Sequence, residues 1–257
     1  MKLEPLQLNK RQAEILDIVQ SQGYATIEAL AAHFGTSHQT IRRDIIVMDG
    51  HRVLQRFHGG AGVANAKFRP LYADKQQLAI QAKNRVAQHI AGLVQAEMTI
   101  YLDVGTTAEA VAHALLGKEG FRVVTSSLNV GVILAGQPGI ETILLGGVVR
   151  SGDGALVGGL ATSVVETFRY DYSFIGFSGF DDDGALMDFD VGKVQVKQAA
   201  MRRSREVVAM ADSSKYRREA SIRLASLSDL SCLVSDALPP PELESLLAAA
   251  GVKVIAV

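Results

Sequence analysis

Tryptophan is absent and cysteine occurs once, at Cys232, in a chain of 257 residues. A single thiol excludes an internal disulfide framework and a cysteine-built metal site, and it suits a reducing compartment. Net charge is almost missing too, at −1 from 26 basic and 27 acidic residues. The whole-chain balance therefore gives no sign of nucleic acid, and any basic surface must be local. Long apolar runs are lacking, because Gly, Asp and Arg interrupt every stretch that could span a bilayer. Met1–Lys10 has no apolar signal-peptide core, so the expectation is a cytoplasmic protein with no membrane partner. What is present suffices for a sizeable core: 48% hydrophobic and 21% charged residues fit one large α/β domain or a small domain joined to a medium one.

Two textures divide the chain. From Asn9 to Met48 apolar residues recur at helical spacing, as in Ile15, Val19, Ile27, Leu30, Ile41, Ile45 and Met48. Asn9, Thr26 and Ser37 stand at N-cap positions, and Gly23 and Gly35 where helices end, which predicts three short helices. An extended stretch, Val53–Phe57, and a turn at His58-Gly59-Gly60 follow. Residues 61–69 show no period, and Pro70 punctuates them; from Ala73 to Val94 the period is helical again. Beyond residue 97, strand-like runs at 99–102, 122–125, 141–145, 172–176, 207–211, 232–235 and 253–257 alternate with helical patterns near 107–117, 127–135, 159–169, 191–204 and 241–250. That alternation predicts βαβ units and a mainly parallel sheet covered on both faces. The expected domains are a winged helix-turn-helix at 1–62, a linker and connecting helix at 63–97, and an α/β sensing domain at 98–257.

With Ser37 as cap, Ile41, Ile45 and Met48 turn inward, leaving His38, Gln39, Thr40, Arg42 and Arg43 outside near the positive end of the helix dipole. Gln and Arg suit base edges in a major groove, while hydroxyls and Arg hold phosphates. Arg52, Arg56 and His58 would form a basic wing. Residues 36–58 hold four Arg against two Asp. Taken alone, Arg42-Arg43 reads as a solvated helix face. The three capped helices, glycine turn and basic wing together point to double-stranded DNA. His33, His38, His51 and His58 lack metal-ligand spacing.

In the second domain, chemistry gathers where strands end, the ligand edge of open α/β sheets. Asp103-Val104-Gly105-Thr106-Thr107 offers backbone amides, hydroxyls and a helix N-terminus to a phosphate. Ser126, Ser127 and Asn129 form a second hydroxyl-rich opening, and Gly146-Gly147 and Gly176-Phe177-Ser178-Gly179-Phe180-Asp181 a third and fourth. Lys197 and Lys215 would neutralise a phosphate dianion, with Asn129 and aspartates on sugar hydroxyls. Asp181-Asp182-Asp183-Gly184 lacks the closing glutamate of a calcium loop and reads as a turn. The glycines from Gly152 to Gly158 read as a hairpin rather than a dinucleotide fingerprint. Lys197 could equally be a solvated helix residue. No Ser/His/Asp or Cys/His set is evident, so neither catalytic residues nor a cofactor are expected.

Thr40-Ile41-Arg42-Arg43-Asp44-Ile45, followed by Arg56-Phe57-His58-Gly59-Gly60-Ala61, resembles the signature of the DeoR family of repressors. The strings D-V-G-T-T at 103–107, G-x-S-G-x-D at 176–181, the V-K pair ending at Lys197 and A-D-S-S-K at 211–215 resemble its sensor domain, and the likeness runs from about residue 8 to the end. It implies a fold related to ribose-5-phosphate isomerase and glucosamine-6-phosphate deaminase. It also implies DNA contacts by Arg42 and Arg43, and less directly by Gln39 and Thr40. A sugar-phosphate inducer held by Gly105, Thr106, Thr107, Lys197 and Lys215, and a homodimer or homotetramer, are implied as well. Thr106–Ala112 and Asp188-Phe189-Asp190 resemble the glycerol-3-phosphate regulon repressor type. Three places depart from the pattern. Gly50 costs a helix interior about 1 kcal/mol relative to Ala, which predicts an early end to the recognition helix and exposes Ile46 and Val47. Ser126-Ser127 stands where two asparagines are usual, and Lys193 where a glutamate is usual, which implies a different or more negatively charged ligand.

The expected function is a DNA-binding repressor of a carbohydrate or glycerol catabolic operon, released by a phosphorylated metabolite. The alternatives are transcriptional activation, or a sugar-phosphate isomerase or deaminase with a fused DNA-binding head. The enzyme would need a general base such as Asp103, Asp181 or Asp212.

Overall fold

The computed structural model describes residues 8–22, 24–51, 53–57, 59–63, 72, 79–150, 152–218 and 220–257. It divides into two compact units, Met1–Ala79 and Ile80–Val257. Arg52 and His58 of the expected wing, the expected cap Gly23 and most of the expected linker lie outside the described residues.

In the first unit each helix starts on its own polar cap. Asn9 opens α1 (Lys10–Gln22) with a reciprocal pair: its Oδ1 accepts the Gln12 amide at 2.9 Å, and its own amide donates to Gln12 Oε1 at 3.2 Å. Thr26 caps α2 (Ile27–Phe34) by accepting the Ala29 amide at 2.9 Å, and Gly35 ends it with a φ of +58°, the left-handed turn that a Cβ disfavours. Ser37 caps α3 (His38–Gly50), accepting the Thr40 amide at 3.2 Å. Strands β1 (Tyr24–Thr26), β2 (Leu54–Phe57) and β3 (Gly60–Val63) form an antiparallel sheet in the order β1-β3-β2. Ile15, Val19, Leu30, Ile41, Ile45, Met48 and Leu54 make the core, each contributing about 1.5–3 kcal/mol on burial.

Two expectations need correction here. Helix α3 does not stop short of Gly50 but includes it, with His51 as its C-cap. Met48 is fully buried and Asp49 Oδ1 accepts the Arg56 amide at 2.9 Å, so the last turn is fastened to the core and to β2. Those contacts outweigh the glycine cost. Residues 61–63, read as shapeless connector, are strand β3, and β1 was not foreseen. Gly-Ala-Gly-Val carries no alternating pattern, and its strand exists through backbone pairing to both neighbours.

The second unit opens with α4 (Ile80–Leu93) and is built on a seven-stranded parallel sheet. Its strands are β4 (Thr99–Leu102), β5 (Phe121–Thr125), β6 (Ile140–Leu144), β9 (Tyr170–Gly176), β12 (Ser204–Ala211), β14 (Cys232–Ser235) and β15 (Lys253–Ala256), in the order β15-β14-β12-β9-β4-β5-β6. Alternate residues supply two cores. Ile100, Leu102, Val123, Phe174, Val208, Met210 and Val234 pack under α4, α5 (Thr106–Leu115) and α6 (Leu128–Leu134). Tyr101, Val124, Ile175, Ala209 and Leu233 face the other way, against α7 (Gly159–Val165), α8 (Val191–Arg202) and α9 (Pro241–Ala249).

Both faces are covered, which explains why the strands read as apolar runs. A hairpin, β7 (Val148–Val149) with β8 (Leu156–Val157), sits at the glycine-rich 152–158 region as expected. A small sheet of β10 (Gly179–Phe180), β11 (Leu186–Asp188) and β13 (Ile222–Ala225) was not foreseen. The chain builds β5 and β6 on one side of β4 and β9 onward on the other. The C-terminal ends of β4 and β9 therefore flank the switch point where such sheets open a crevice.

Candidate functional site

The outer side of α3 carries unspent polar groups. Ser37, His38, Gln39, Arg42 and Arg43 are exposed and Thr40 is half-buried, its hydroxyl 2.9 Å from that of Ser37. Among the described residues, His38, Gln39, Arg42 and Arg43 have no side-chain partner. Arg56 is exposed on β2, its backbone held by Asp49. Asp44, within the same Arg-Arg-Asp string, faces inward. It is buried and accepts from Arg11 Nε at 2.6 Å and Gln12 Nε2 at 3.1 Å, locking α1 to α3. Ile46 and Val47 are exposed, as the departure from the family pattern implied.

At the switch point the central group is Lys197 on α8, buried at 4% exposure. Its ammonium donates to Asp188 Oδ2 at 2.8 Å and to the Gly176 carbonyl at 2.6 Å, and lies 2.9 Å from Asp103 Oδ2. The solvated-lysine reading is thereby excluded. Burial alone would lower its pKa, but Asp103 and Asp188 outweigh that and hold it raised, so it stays a cation. Burial likewise works against Asp188, yet Lys197, the Phe189 amide and the Ser178 hydroxyl hold its carboxyl well below the ordinary range.

Asp103 ends β4. Burial raises its pKa, against the pull of Lys197, and its Oδ2 also takes the Gly176 amide at 2.8 Å. Its Oδ1 is buried without a hydrogen-bond partner among the described residues. Gly105, Thr106 and Thr107 follow at once at the start of α5, Thr106 half-buried and Thr107 buried.

Beyond β12 lies a second buried cation. Lys215 donates to the Met210 carbonyl at 3.0 Å and sits 4.6 Å from the centre of the Phe177 ring. No carboxylate comes within ion-pair distance of it among the described residues. Burial, eased by Asp212 and reinforced by Arg218, Lys197 and Lys83, pushes its pKa down to about 8. Lys83 on α4 is buried beside the same groups and is also lowered to about 8, first by burial and then by Arg218, against Asp212. The short segment bearing Lys215 and Arg218 is held from below by β10. The Phe180 amide donates to the Arg218 carbonyl at 3.2 Å, and a Cβ at Gly179 would overlap that oxygen.

The structure thus brings Asp103, Ser178, Lys197 and the Thr106-Thr107 helix opening to one edge, with Lys215 linked to them electrostatically. Other expected residues also hold contacts within the protein. The Ser126 hydroxyl is 2.8 Å from the Tyr101 hydroxyl, and Asn129 Nδ2 donates to Glu109 at 3.0 Å. Gly147 lies against the Val157 carbonyl at the β7–β8 hairpin, where a Cβ would stand 2.6 Å from that oxygen. Asp181 is exposed in the β10–β11 turn, its Oδ1 accepting the Asp182 amide at 2.9 Å. Lys193 is buried and ion-paired with Asp153, so it does not add the free positive charge that the family comparison implied.

Reading the sequence did not single out Lys83, Asp188 and Arg218, which the structure places among these buried charges. Asp188 stood inside a quoted string. A lysine at an inward helical position, next to Ala82 and three residues before Val86, was the available signal for Lys83.

Among the described residues no helix is long and apolar enough to cross a membrane. A capped helix-turn-helix with its wing, followed by a parallel α/β unit with charged groups at the switch point, defines a two-domain DNA-binding transcriptional regulator. Residues 11–67 match the DeoR-like helix-turn-helix domain and residues 78–237 the DeoR C terminal sensor domain, and the chain belongs to the DeoR family.

Its relatives include the glycerol-3-phosphate regulon repressor of Escherichia coli K12, 37% identical over 90% of this chain and 92% of the relative. The HTH-type transcriptional repressor CsqR of the same organism is 33% identical over 99% of this chain and 98% of the relative. Among solved structures, the full-length sorbitol operon regulator SorC of Klebsiella pneumoniae aligns over 92% of this chain and 97% of that one, with 13% identity and a TM-score of 0.42. The ribose 5-phosphate isomerase A of Methanocaldococcus jannaschii aligns over 52% of each chain, with 18% identity and a TM-score of 0.39. Neither structural likeness is close enough to bear on function.

Proposed function

We propose that this protein represses a carbohydrate or glycerol catabolic operon as a cytoplasmic homodimer or homotetramer, and that a phosphorylated metabolite such as glycerol-3-phosphate or a sugar phosphate releases it from DNA. The DNA half is supported by the outer face of α3, where Gln39, Arg42 and Arg43 are solvent-facing and unpaired among the described residues. The effector half is carried by Lys215, a buried cation near Asp212 but with no carboxylate within ion-pair distance among the described residues. Such a charge is costly to fold around unless an anion arrives to meet it. The Thr106-Thr107 helix opening supplies amides and hydroxyls for the same anion. Ser126, Asn129, Ser178 and Asp181 are assigned to the remainder of the ligand.

The enzyme alternative needs a carboxylate free to take a proton. Asp181 is held in its turn and Asp212 by Ser214, while Asp103 gives only Oδ2 to Lys197 and the Gly176 amide; what favours a regulator is the likeness along nearly the whole chain to named repressors. Effector binding releases DNA only if it prefers the arrangement that grips poorly. A coupling of about 1–3 kcal/mol corresponds to a 5–150-fold loss of operator affinity.

The test has two arms. Fluorescence anisotropy with the DNA upstream of the protein's own gene should show tight binding at low ionic strength. Arg42→Ala should weaken it by about 1–3 kcal/mol and flatten its salt dependence. Indifference of the parent protein to that DNA sinks the regulator reading. In thermal melts, glycerol-3-phosphate at about 100 times its dissociation constant should add about 2.7 kcal/mol. Thr106→Val with Thr107→Val should abolish this and leave DNA binding intact. Turnover of sugar phosphates at enzyme-like rates would favour the alternative.

A further inference from the structure

We propose that Ile46 and Val47 read thymine methyl groups in the bound DNA, as the apolar part of the helix face that carries Gln39, Arg42 and Arg43. This rests on the DNA-binding role of α3 given above and deepens it by naming a base that the face selects.

Among the described residues of the first unit, the large hydrophobic side chains left exposed are Ile46 and Val47, at 50% and 43%. Their position on α3 follows from its periodicity. Ile41, Ile45 and Met48 are buried at i, i+4 and i+7. Gln39, Arg43 and Ile46 repeat that spacing two residues earlier, about 200° around the helix, and so form the opposite, outward stripe. Val47 follows Arg43 by four residues, as Ile46 follows Arg42, so each apolar side chain lies one turn beyond an arginine.

Both residues are β-branched, a type that helices accept less readily than Leu, Glu or Lys. Neither is part of the head's core, so packing there does not offset the cost. A partner that rewards the pair must offer apolar groups beside hydrogen-bond acceptors. The major groove does so, because the thymine methyl projects into it alongside the O6 and N7 acceptors of guanine. One turn of α3 is about 5.4 Å, against a base-pair step of about 3.4 Å. For a helix lying along the groove, the thymines fall about one to two pairs beyond those that Arg42 and Arg43 reach.

The branching also serves recognition. The stiff χ1 of Ile and Val fixes their methyl surface before DNA arrives, so little rotamer freedom is lost on docking. A second copy of the head is a poorer occupant of this face. Packing two such faces together sets Arg42 and Arg43 against their own kind. The carboxylates of α3 do not relieve that repulsion, since Asp44 is turned inward to Arg11 and Asp49 holds the Arg56 amide.

The experiment uses the full chain and two versions of the DNA upstream of its own gene, one with every thymine replaced by uracil, which removes the methyl groups and nothing else. In fluorescence anisotropy the parent should bind the uracil duplex at least about fourfold more weakly, the worth of one buried methyl. Ile46→Ala with Val47→Ala should bind the two duplexes alike, and the uracil duplex about as tightly as the parent does. Any change of DNA shape weighs equally on parent and variant, so the cycle isolates the methyl contact. Equal binding of both duplexes by the parent, or a uniform loss by the variant on both, overturns the proposal. Sedimentation velocity without DNA should give parent and variant the same oligomeric state; dissociation of the variant would make the face a protein interface and overturn it too. If the parent binds neither duplex better than random DNA, or Arg42→Ala binds undiminished, recognition by α3 has itself failed, a distinct result.

Discussion

The head and the sensor keep their positive charge in opposite ways. Arg42 and Arg43 on α3 stand in water, whereas Lys83, Lys197 and Lys215 have been withdrawn from it. An exposed guanidinium costs folding almost nothing, and its attraction to a polyanion comes with released counterions and falls with salt. A buried ammonium is costly unless it is met, and it responds to one small anion in one geometry. Within the sensor the contrast repeats. Lys197 has two carboxylates within ion-pair distance, and Lys215 has none among the described residues, only the more distant field of Asp212. On the proposed function, the first lysine belongs to the fold and the second meets the effector's anion.

The strongest way to break this comparison is to remove each lysine in turn. Lys197→Met strands Asp103 and Asp188 as buried, uncompensated carboxylates and should cost about 3–5 kcal/mol in urea unfolding of the sensor. Lys215→Met should leave stability unchanged or raised, with phosphate binding lost. Equal losses for the two would erase the distinction.

A pH series sharpens it. Lys83 and Lys215 titrate near 8 in the folded protein, well below an unfolded lysine near 10.4. Below about pH 8 both states are charged and the native penalty is fully present. Between about 8 and 10 the unfolded chain binds more protons, so stability of the unliganded protein should rise with pH. On the proposed function, phosphate binding draws on charged Lys215 and should weaken over the same range, approaching tenfold per pH unit. Melting and calorimetric titration at pH 7, 8 and 9 would reveal opposite slopes; parallel slopes would refute the assignment.

The smallest effect belongs to the wing. Asp49→Ala removes the acceptor of the Arg56 amide and should cost about 0.5–1.5 kcal/mol of stability. A few-fold loss of DNA affinity is expected in anisotropy, with the salt slope unchanged because no phosphate contact is lost.

Most of the sensor's frame was readable because parallel strands covered on both faces must be short apolar runs, and Cys232–Ser235 or Val207–Ala211 can be little else. The three helix caps were equally local, each decided within four residues. What escaped notice depends on partners far along the chain. The β3 strand Gly60–Val63 has almost no side chains to show a pattern, and it pairs with β1, more than thirty residues earlier. The two-residue strand β10 exists only because β11 lies beside it. Lys197 could not be told from a solvated lysine until Asp103 and Asp188 were seen to converge on it. Lys83 looked like one polar residue in a helical pattern, since neither Asp212 nor Arg218 is near it in sequence. Gly50 was misjudged because its local propensity was weighed without the anchor that Asp49 provides.

The close packing of Gly179 against the Arg218 carbonyl has a consequence for heredity. Any side chain at position 179 must lift the backbone that carries Arg218 and Lys215, while the α3 face is untouched. On the proposed function, a strain with that allele would keep its operon shut even when fed the inducing nutrient. Growth selection for such unresponsive cells should recover changes at a codon whose product touches neither DNA nor metabolite.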